Sequence, residues 1–327
     1  MRYTGLYTGV VTITFALVLT ASTALAQERA MTLQERMGYP AQARLLNIHA
    51  DDFGMAHSID KAIEQALEHG WVDSASIMVP CPWYPEVLTW ARAHPQADLG
   101  IHMVLNSEWP GYRWGPISSR DRVATLIDPQ GYFYNDPSRF THLDVAQAQL
   151  ELQTQIDKAQ SDGIAITHLD SHMIALMTTR RLFRLYESLG QTYDLPIPLT
   201  TAGDYQMPSG EKTAPDALTL TDVITMDPGI PPQKWVGWYE TTLAKLKPGI
   251  YQLIVHLAYD DPEMRAATHG IPDWGAAWRQ RDFDMVRSTQ FRAFLRDQHF
   301  TLVSWRQLWT AYHRRLPAST HVATRSR

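Results

Sequence analysis

Short apolar runs and longer amphipathic stretches alternate through most of this chain. The apolar runs at Leu45–Ala50, Ala75–Pro80, Leu99–Val104, Ile164–Leu169, Ile197–Thr200, Val223–Met226, Tyr251–His256 and Thr301–Ser304 have the length expected of strands. Between several of them, apolar residues recur at helical spacing in Ser58–His69, Tyr84–Ala93, Leu143–Ala159, Thr179–Leu189 and Phe283–Gln298. Apolar strands separated by helices belong in a parallel sheet whose outer face is covered. Seven or eight such units in a chain of this length predict an α/β fold: a (β/α) barrel of predominantly parallel strands rather than an open doubly wound sheet. Two segments break the alternation. Asn106–Arg139 and Asp204–Trp238 are richer in Gly, Pro, Trp and Tyr, and read as long excursions above the barrel. No internal repeat or low-complexity tract appears.

A βα barrel gathers the C-terminal ends of its strands on one face, where such folds carry their sites. The stretch LLNIHADDFGM drives its apolar residues into the adjacent carboxylates Asp51 and Asp52. His102 lies at the end of Leu99-Gly100-Ile101-His102, His168, Asp170 and His172 cluster where Ile164-Ala165-Ile166-Thr167 finishes, and His256 closes Leu253-Ile254-Val255. Four strands thus deliver carboxylates or imidazoles to one face. Two ionised carboxylates side by side repel, and burial without a partner is costly, so a positive or proton-bearing group is expected near them. Mixed carboxylate and imidazole donors suit a divalent ion, and three protein ligands leave room for water and substrate. Asp52, His102 and His172 would make that set, with Asp51 free to accept a proton from water. His168 is a rival ligand through its H-x3-H spacing with His172, while Asp170 and His168 could instead orient a ligand from behind. Blander readings exist for each residue alone. An aspartate pair after a strand is commonly a turn or cap, Ser58 could cap the helix containing Ile59 and Ile63, and a lone histidine can be a satisfied core residue. The arrival of all these groups at one face favours the metal site.

Composition narrows the classes of function. The chain has 327 residues, a formal net charge of -5, 45% hydrophobic residues and 19% charged residues, enough for one large core and without the basic excess of a nucleic-acid surface. Trp109, Tyr112, Trp114, Trp235, Trp238 and Tyr239 fall in the excursions, where flat rings suit stacking on sugars and equally packing against the barrel rim. Cys81 is the only cysteine, which excludes an intrachain disulfide and reads as a small buried core residue. Arg2, the apolar Val10–Leu19 and the small-x-small triplet Ala24-Leu25-Ala26 form the pattern of a secretory signal removed before Gln27. The expected location is therefore periplasmic or secreted, with no stable membrane insertion after cleavage. The domain organisation reads as a signal peptide over 1–26, an N-terminal extension over 27–44, one catalytic barrel over 45–314 and a tail over 315–327 expected to be disordered.

Ala50-Asp51-Asp52-Phe53-Gly54, Gly100-Ile101-His102-Met103-Val104-Leu105 and Thr167-His168-Leu169-Asp170-Ser171-His172 resemble the ordered motifs of the YdjC-like (ChbG/HpnK) carbohydrate deacetylases, distant relatives of NodB-type polysaccharide deacetylases. The resemblance runs from about Leu45 to His256, and more weakly to Leu308. It implies a somewhat irregular βα barrel and a metal-dependent hydrolase that removes acetyl groups from N-acetylated sugars, with an acetylated mono- or oligosaccharide as partner. Matched residue by residue, it implies Asp52, His102 and His172 as ligands of one divalent ion, with Zn or Mg expected, and Asp51 as base. It ranks His172 ahead of His168. A later strand in the family commonly ends in Cys-His-Pro-Gly, whose histidine is a candidate general acid. Here that region reads Val255-His256-Leu257-Ala258, so His256 keeps the position among different neighbours. Family members often carry further histidines after DSH, where this chain has Met173-Ile174, a departure from close chitooligosaccharide specificity. An esterase acting on O-acetylated glycans and a non-catalytic carbohydrate-binding protein stay open as alternatives. A phosphate ester is disfavoured by the lack of a Gly-rich cradle or a strong Arg and Lys cluster.

Overall fold

The computed structural model describes residues 31–200, 208, 211 and 218–313. The signal peptide expected over 1–26, the first residues of the extension, the tail over 315–327 and much of the second excursion lie outside the described residues. The strands are β1 Arg44–Phe53, β2 Ser74–Ile77, β3 Leu99–Met103, β4 Ile166–Ser171, β5 Leu199–Thr200, β6 Thr219–Leu220, β7 Asp222–Ile224, β8 Gly249–Val255 and β9 Phe300–Leu302. The helices are α1 Leu33–Arg36, α2 His57–Glu68, α3 Tyr84–Ala93, α4 Val145–Ser161, α5 Arg180–Tyr193, α6 Trp235–Ala244, α7 Pro262–Ala267, α8 Ala276–Arg287, α9 Thr289–Asp297 and α10 Trp305–His313.

β1 is the spine. It is buried from Leu45 to Phe53, with the apolar Leu46, Ile48 and Ala50 alternating with the buried polar Asn47, His49 and Asp51. The main sheet runs β4-β3-β2-β1-β8-β7, with β9 paired to the start of β1, and every pairing in it is parallel. Helices cover it. On α2, for example, Ile59, Ala62, Ile63 and Ala66 recur at helical spacing and are all fully buried. The result is a curved arc of parallel strands with flanking helices, an irregular (β/α) barrel. The run at Ile197–Thr200 does not enter this arc. It supplies only β5, which pairs with β6 in a separate two-stranded sheet.

Three local expectations are corrected. The helix read over Phe283–Gln298 is two helices, α8 and α9. The chain is extended at Ser288 (φ -67, ψ 139), whose hydroxyl accepts from Phe291 N and restarts the helix. Ser58 does not cap α2. The N-cap is Ala56, and Glu263 on α7 receives the free amides of His57 and Ser58 at 3.3 and 2.8 Å. Trp235–Trp238, assigned to an excursion, begins α6, with Trp235 and Tyr239 buried.

The first excursion links β3 to α4 by short helical turns and an isolated bridge between Ile127 and Phe133. It is anchored from below. The fully buried Glu151 of α4 accepts from Ile117 N at 3.0 Å and Ser118 N at 2.9 Å, and Trp114 Nε1 donates to Asn106 O at 2.8 Å. Those bonds hold Glu108 and Trp109 over the strand ends.

Candidate active site

Two register breaks shape the site. Between β1 and β2 the pairing steps from Ala50↔Ala75 to Phe53↔Ile77, which leaves one extra residue on β1. Between β3 and β4 it steps from Leu99↔Ile166 to Ile101↔Leu169, with the extra residue on β4. In a regular strand Asp51 and Asp52 would point to opposite faces. The bulge, with Asp52 in the left-handed region at φ 73, brings both carboxylates onto one cavity of about 680 Å³. His102, Glu108, His172, His256 and Arg279 line it too.

Asp52 Oδ1 lies 3.5 Å from both His102 Nε2 and His172 Nδ1, and those two nitrogens are 3.1 Å apart. All three donors fall within 4.8 Å of one another. Asp52 Oδ1 is buried and receives no hydrogen bond. A lone carboxylate oxygen facing two imidazole nitrogens is the donor set of a divalent cation, so these residues fit the metal that the sequence implies. The far side of each of these three side chains is held. Asp52 Oδ2 accepts from Arg279 Nη2 at 2.6 Å. His102 Nδ1 meets Asp170 Oδ1 at 2.6 Å, and His172 Nε2 meets Glu108 Oε2 at 3.0 Å. A ring that donates one N–H to a carboxylate keeps the opposite nitrogen's lone pair for an ion.

The charges follow from these contacts. Burial works against the Asp52 anion, but Arg279 and the nearby imidazoles outweigh it and hold the carboxyl well below the usual range. Burial likewise opposes a charged His172, yet Glu108 and Asp52 raise it to about 10. Asp51 Oδ2 stands 3.8 Å from His102 Nε2 on one side and 3.8 Å from His256 Nε2 on the other. His256 follows β8, and its amide donates to Asp282 Oδ2 at 3.0 Å. Its side chain is 17% accessible, but desolvation and Arg279 push the imidazole down to about 4, so it is neutral at pH 7.

Of the residues singled out in the sequence, Asp51, Asp52, His102, His172 and His256 all reach this cavity. His168 does not join His172. Four residues along a strand span roughly 13 Å, whereas one helical turn would bring the pair together. Instead His168 stacks on Trp305, with Nδ1 at 2.9 Å from Thr167 Oγ1. It presses so closely under Gly100 that a Cβ there would fall 2.4 Å from Nε2. Asp170 stands behind His102. Among the six aromatic residues of the excursions, only Trp109 lines the cavity. Trp114 is buried beneath it, and Trp235 and Tyr239 both donate to Asp282. Trp274 is the second aromatic wall, unforeseen from sequence.

A parallel βα arc with an Asp-His-His cluster at its strand ends defines a metal-binding (β/α) barrel. Residues 45–297 match the family described as YdjC-like protein, and the chain belongs to that family. It is 32% identical over 284 residues to a carbohydrate deacetylase of Thermus thermophilus, covering 84% of this chain and 97% of that one. A carbohydrate deacetylase of Thermoanaerobacter pseudethanolicus is 29% identical over 223 residues, covering 68% of this chain and 84% of the relative. A crystal structure of a protein from Enterococcus faecalis V583 shares the fold, with a TM-score of 0.67, 20% identity, and coverage of 81% of this chain and 99% of that chain.

Proposed function

We propose that this protein is a metal-dependent carbohydrate deacetylase that hydrolyses the acetamido group of an N-acetylated sugar or glycan fragment. The observation that carries the reading is the convergence of Asp52, His102 and His172 on one cavity with the second carboxylate, Asp51, beside them. The names borne by its relatives support the same chemistry. Asp52 Oδ1, His102 Nε2 and His172 Nδ1 would hold the ion. A divalent cation there supplies Lewis acidity, lowering the pKa of water and drawing charge from an acyl carbonyl. Asp51 Oδ2 takes the proton from the attacking water. His256, neutral at rest and 3.8 Å from Asp51 Oδ2, takes over the proton that Asp51 drew from water and passes it to the departing amine. The partly exposed Trp274 offers the sugar ring a flat apolar wall, while Trp109 is buried with the Arg279 guanidinium over its ring.

The test is acetate release from N-acetylated and O-acetylated glycans after chelation, with zinc or magnesium restored singly. Release from N-acetyl sugars that disappears on chelation and returns with metal supports the proposal. Preference for O-acetyl esters would make it an esterase, and sugar binding without release a binding protein. We propose further that the protein works in the periplasm or outside the cell. Arg2, Val10–Leu19 and Ala24-Leu25-Ala26 support export. N-terminal sequencing of exported protein should then begin at Gln27.

A further inference from the structure

We propose that His49 is a positioning residue of this site: a buried imidazolium that orients the base Asp51 directly and the ligand His102 through Asp170. It rests on the proposed assignment of the cavity as a deacetylase site. His49 precedes Asp51 by two residues on β1, so strand alternation puts both side chains on the same face. The ring is fully buried.

Its proton inventory follows from its partners. Asn47 Nδ2 donates to Val303 O at 2.8 Å, which turns Asn47 Oδ1 toward Ser74. Ser74 Oγ donates to that oxygen at 3.0 Å. A hydroxyl has one proton to give, so Ser74 Oγ acts as acceptor toward His49 Nδ1, 2.7 Å away, and Nδ1 is protonated. Nε2 faces Asp170 Oδ2 at 2.9 Å and Asp51 Oδ1 at 3.2 Å, with Ser76 Oγ at 3.1 Å. A lone pair on Nε2 would confront two anions that can only accept, so Nε2 is protonated as well.

The groups around the ring agree. β1 contributes Asp51, β2 only the hydroxyls of Ser74 and Ser76, and β4 contributes Asp170 and His168. Burial lowers the pKa of His168, leaving it neutral at pH 7. Burial alone would also neutralise His49, yet Asp170 and Asp51 raise it to about 9.

The geometry gives the cation two tasks. Asp170 is pinned at both oxygens, Oδ2 by His49 and Oδ1 by His102 Nδ1, which fixes the plane of a metal-ligating ring. Asp51 Oδ1 receives no hydrogen bond, so the His49 charge is its compensation, and Oδ2 is left toward His102 and His256. Loss of the charge would leave both buried carboxylates without the cation that lies between them.

The first measurement is nitrogen-15 NMR of the histidine rings in zinc-loaded wild-type protein at pH 7. His49 should show both nitrogens protonated, and a neutral single tautomer overturns the proposal. This readout does not involve catalysis, so it decides the matter even if no acetylated glycan proves to be a substrate. The second is His49→Gln, which keeps a donor and removes the charge. Bound zinc and KM should change little, while kcat at pH 7 should fall on the order of 10-fold. A merely structural role would lower thermal stability and leave kcat of the folded, zinc-loaded variant in place, and that result counts against the proposal. Should the variant not fold, Asp51→Asn answers by NMR: loss of one anion should bring the His49 titration midpoint down, and an unmoved midpoint overturns the proposal.

Discussion

At Asp52 the backbone enters a region that costs an L-residue roughly 1 kcal/mol or more, and the return is a pair of neighbouring carboxylates serving one cavity. The division of labour between them is measurable. Asp51→Asn keeps the side chain's size and should leave the ion bound while lowering kcat by about 100-fold or more, since an amide cannot take the proton. Replacing His256 by Ala should slow an N-acetyl sugar far more than an activated acetyl ester, whose leaving group needs little protonation. Equal losses on both would assign the ring to substrate positioning. Metal binding carries its own signature. With Glu108 and Asp52 raising His172 to about 10, the ring is protonated at pH 7 without an ion. An ion needs the neutral ring, so binding should release a proton and affinity should climb as pH rises toward 10. Calorimetry in two buffers of different ionisation heat reads that release, and Ala at Asp52, His102 or His172 should abolish stoichiometric zinc with the fold retained. Asp51, Asp52, His102 and His172 were legible because strand ends announce themselves as apolar runs stopping at titratable groups. Arg279 was not, since it reaches Asp52 from a helix 227 positions along the chain. Glu108 sits in an aromatic loop with no periodicity to place it. His49 left a signal, its two-residue offset from Asp51, which the adjacent pair of aspartates obscured.

Helices and strands were legible to within a few residues wherever apolar periodicity ran uninterrupted, as in α3, read and found at Tyr84–Ala93. Periodicity fails where the chain turns without changing its apolar rhythm. The buried Phe283 and Phe291 kept the pattern alive across the break at Ser288. Capping failed for a different reason, because Glu263 is supplied from another helix and local sequence does not show it. The excursion after β3 shows what an anchoring element does for function. Glu151 receives two amides of that loop in a fully buried place. Glu151→Ala would leave both donors unpaired, which should cost about 2–5 kcal/mol of stability and let Glu108 and Trp109 drift from the cavity. Denaturant unfolding measures the first effect. The second should raise KM by more than it lowers kcat.

Asp282 ties several parts of the molecule together. Its carboxylate accepts from Trp235 and Tyr239 of α6 and from the amide of His256 after β8, while itself belonging to α8. Burial pushes its pKa up to about 6, against the hydrogen bonds and Arg279 that favour the anion. Between the unfolded value near 4 and the folded value, the native state holds a proton that the unfolded chain has released, so this group's contribution to stability falls as pH rises through that window. The drop approaches about 3 kcal/mol and is complete somewhat above pH 6. Melting curves of wild type and Asp282→Asn across pH 4 to 7 should show the difference between them shifting in the variant's favour as pH rises, and a constant difference would contradict the assignment.

The spine strand has a consequence for how the chain comes to be folded. β1 is made early, but its longest ladder runs from Arg44↔Gly249 to Ala50↔Val255, and β9 completes its start. Those partners lie roughly two hundred residues downstream, so the central ladder closes only after a large loop has formed, at an entropic cost that local contacts cannot offset first. During folding the Asp51–Asp52 strand waits with one edge unpaired until the C-terminal third joins it. Chains halted before β8 should therefore stay protease-sensitive and bind chaperones, and refolding of the full-length protein should be slow for its size, with zinc affinity recovered only in the last phase.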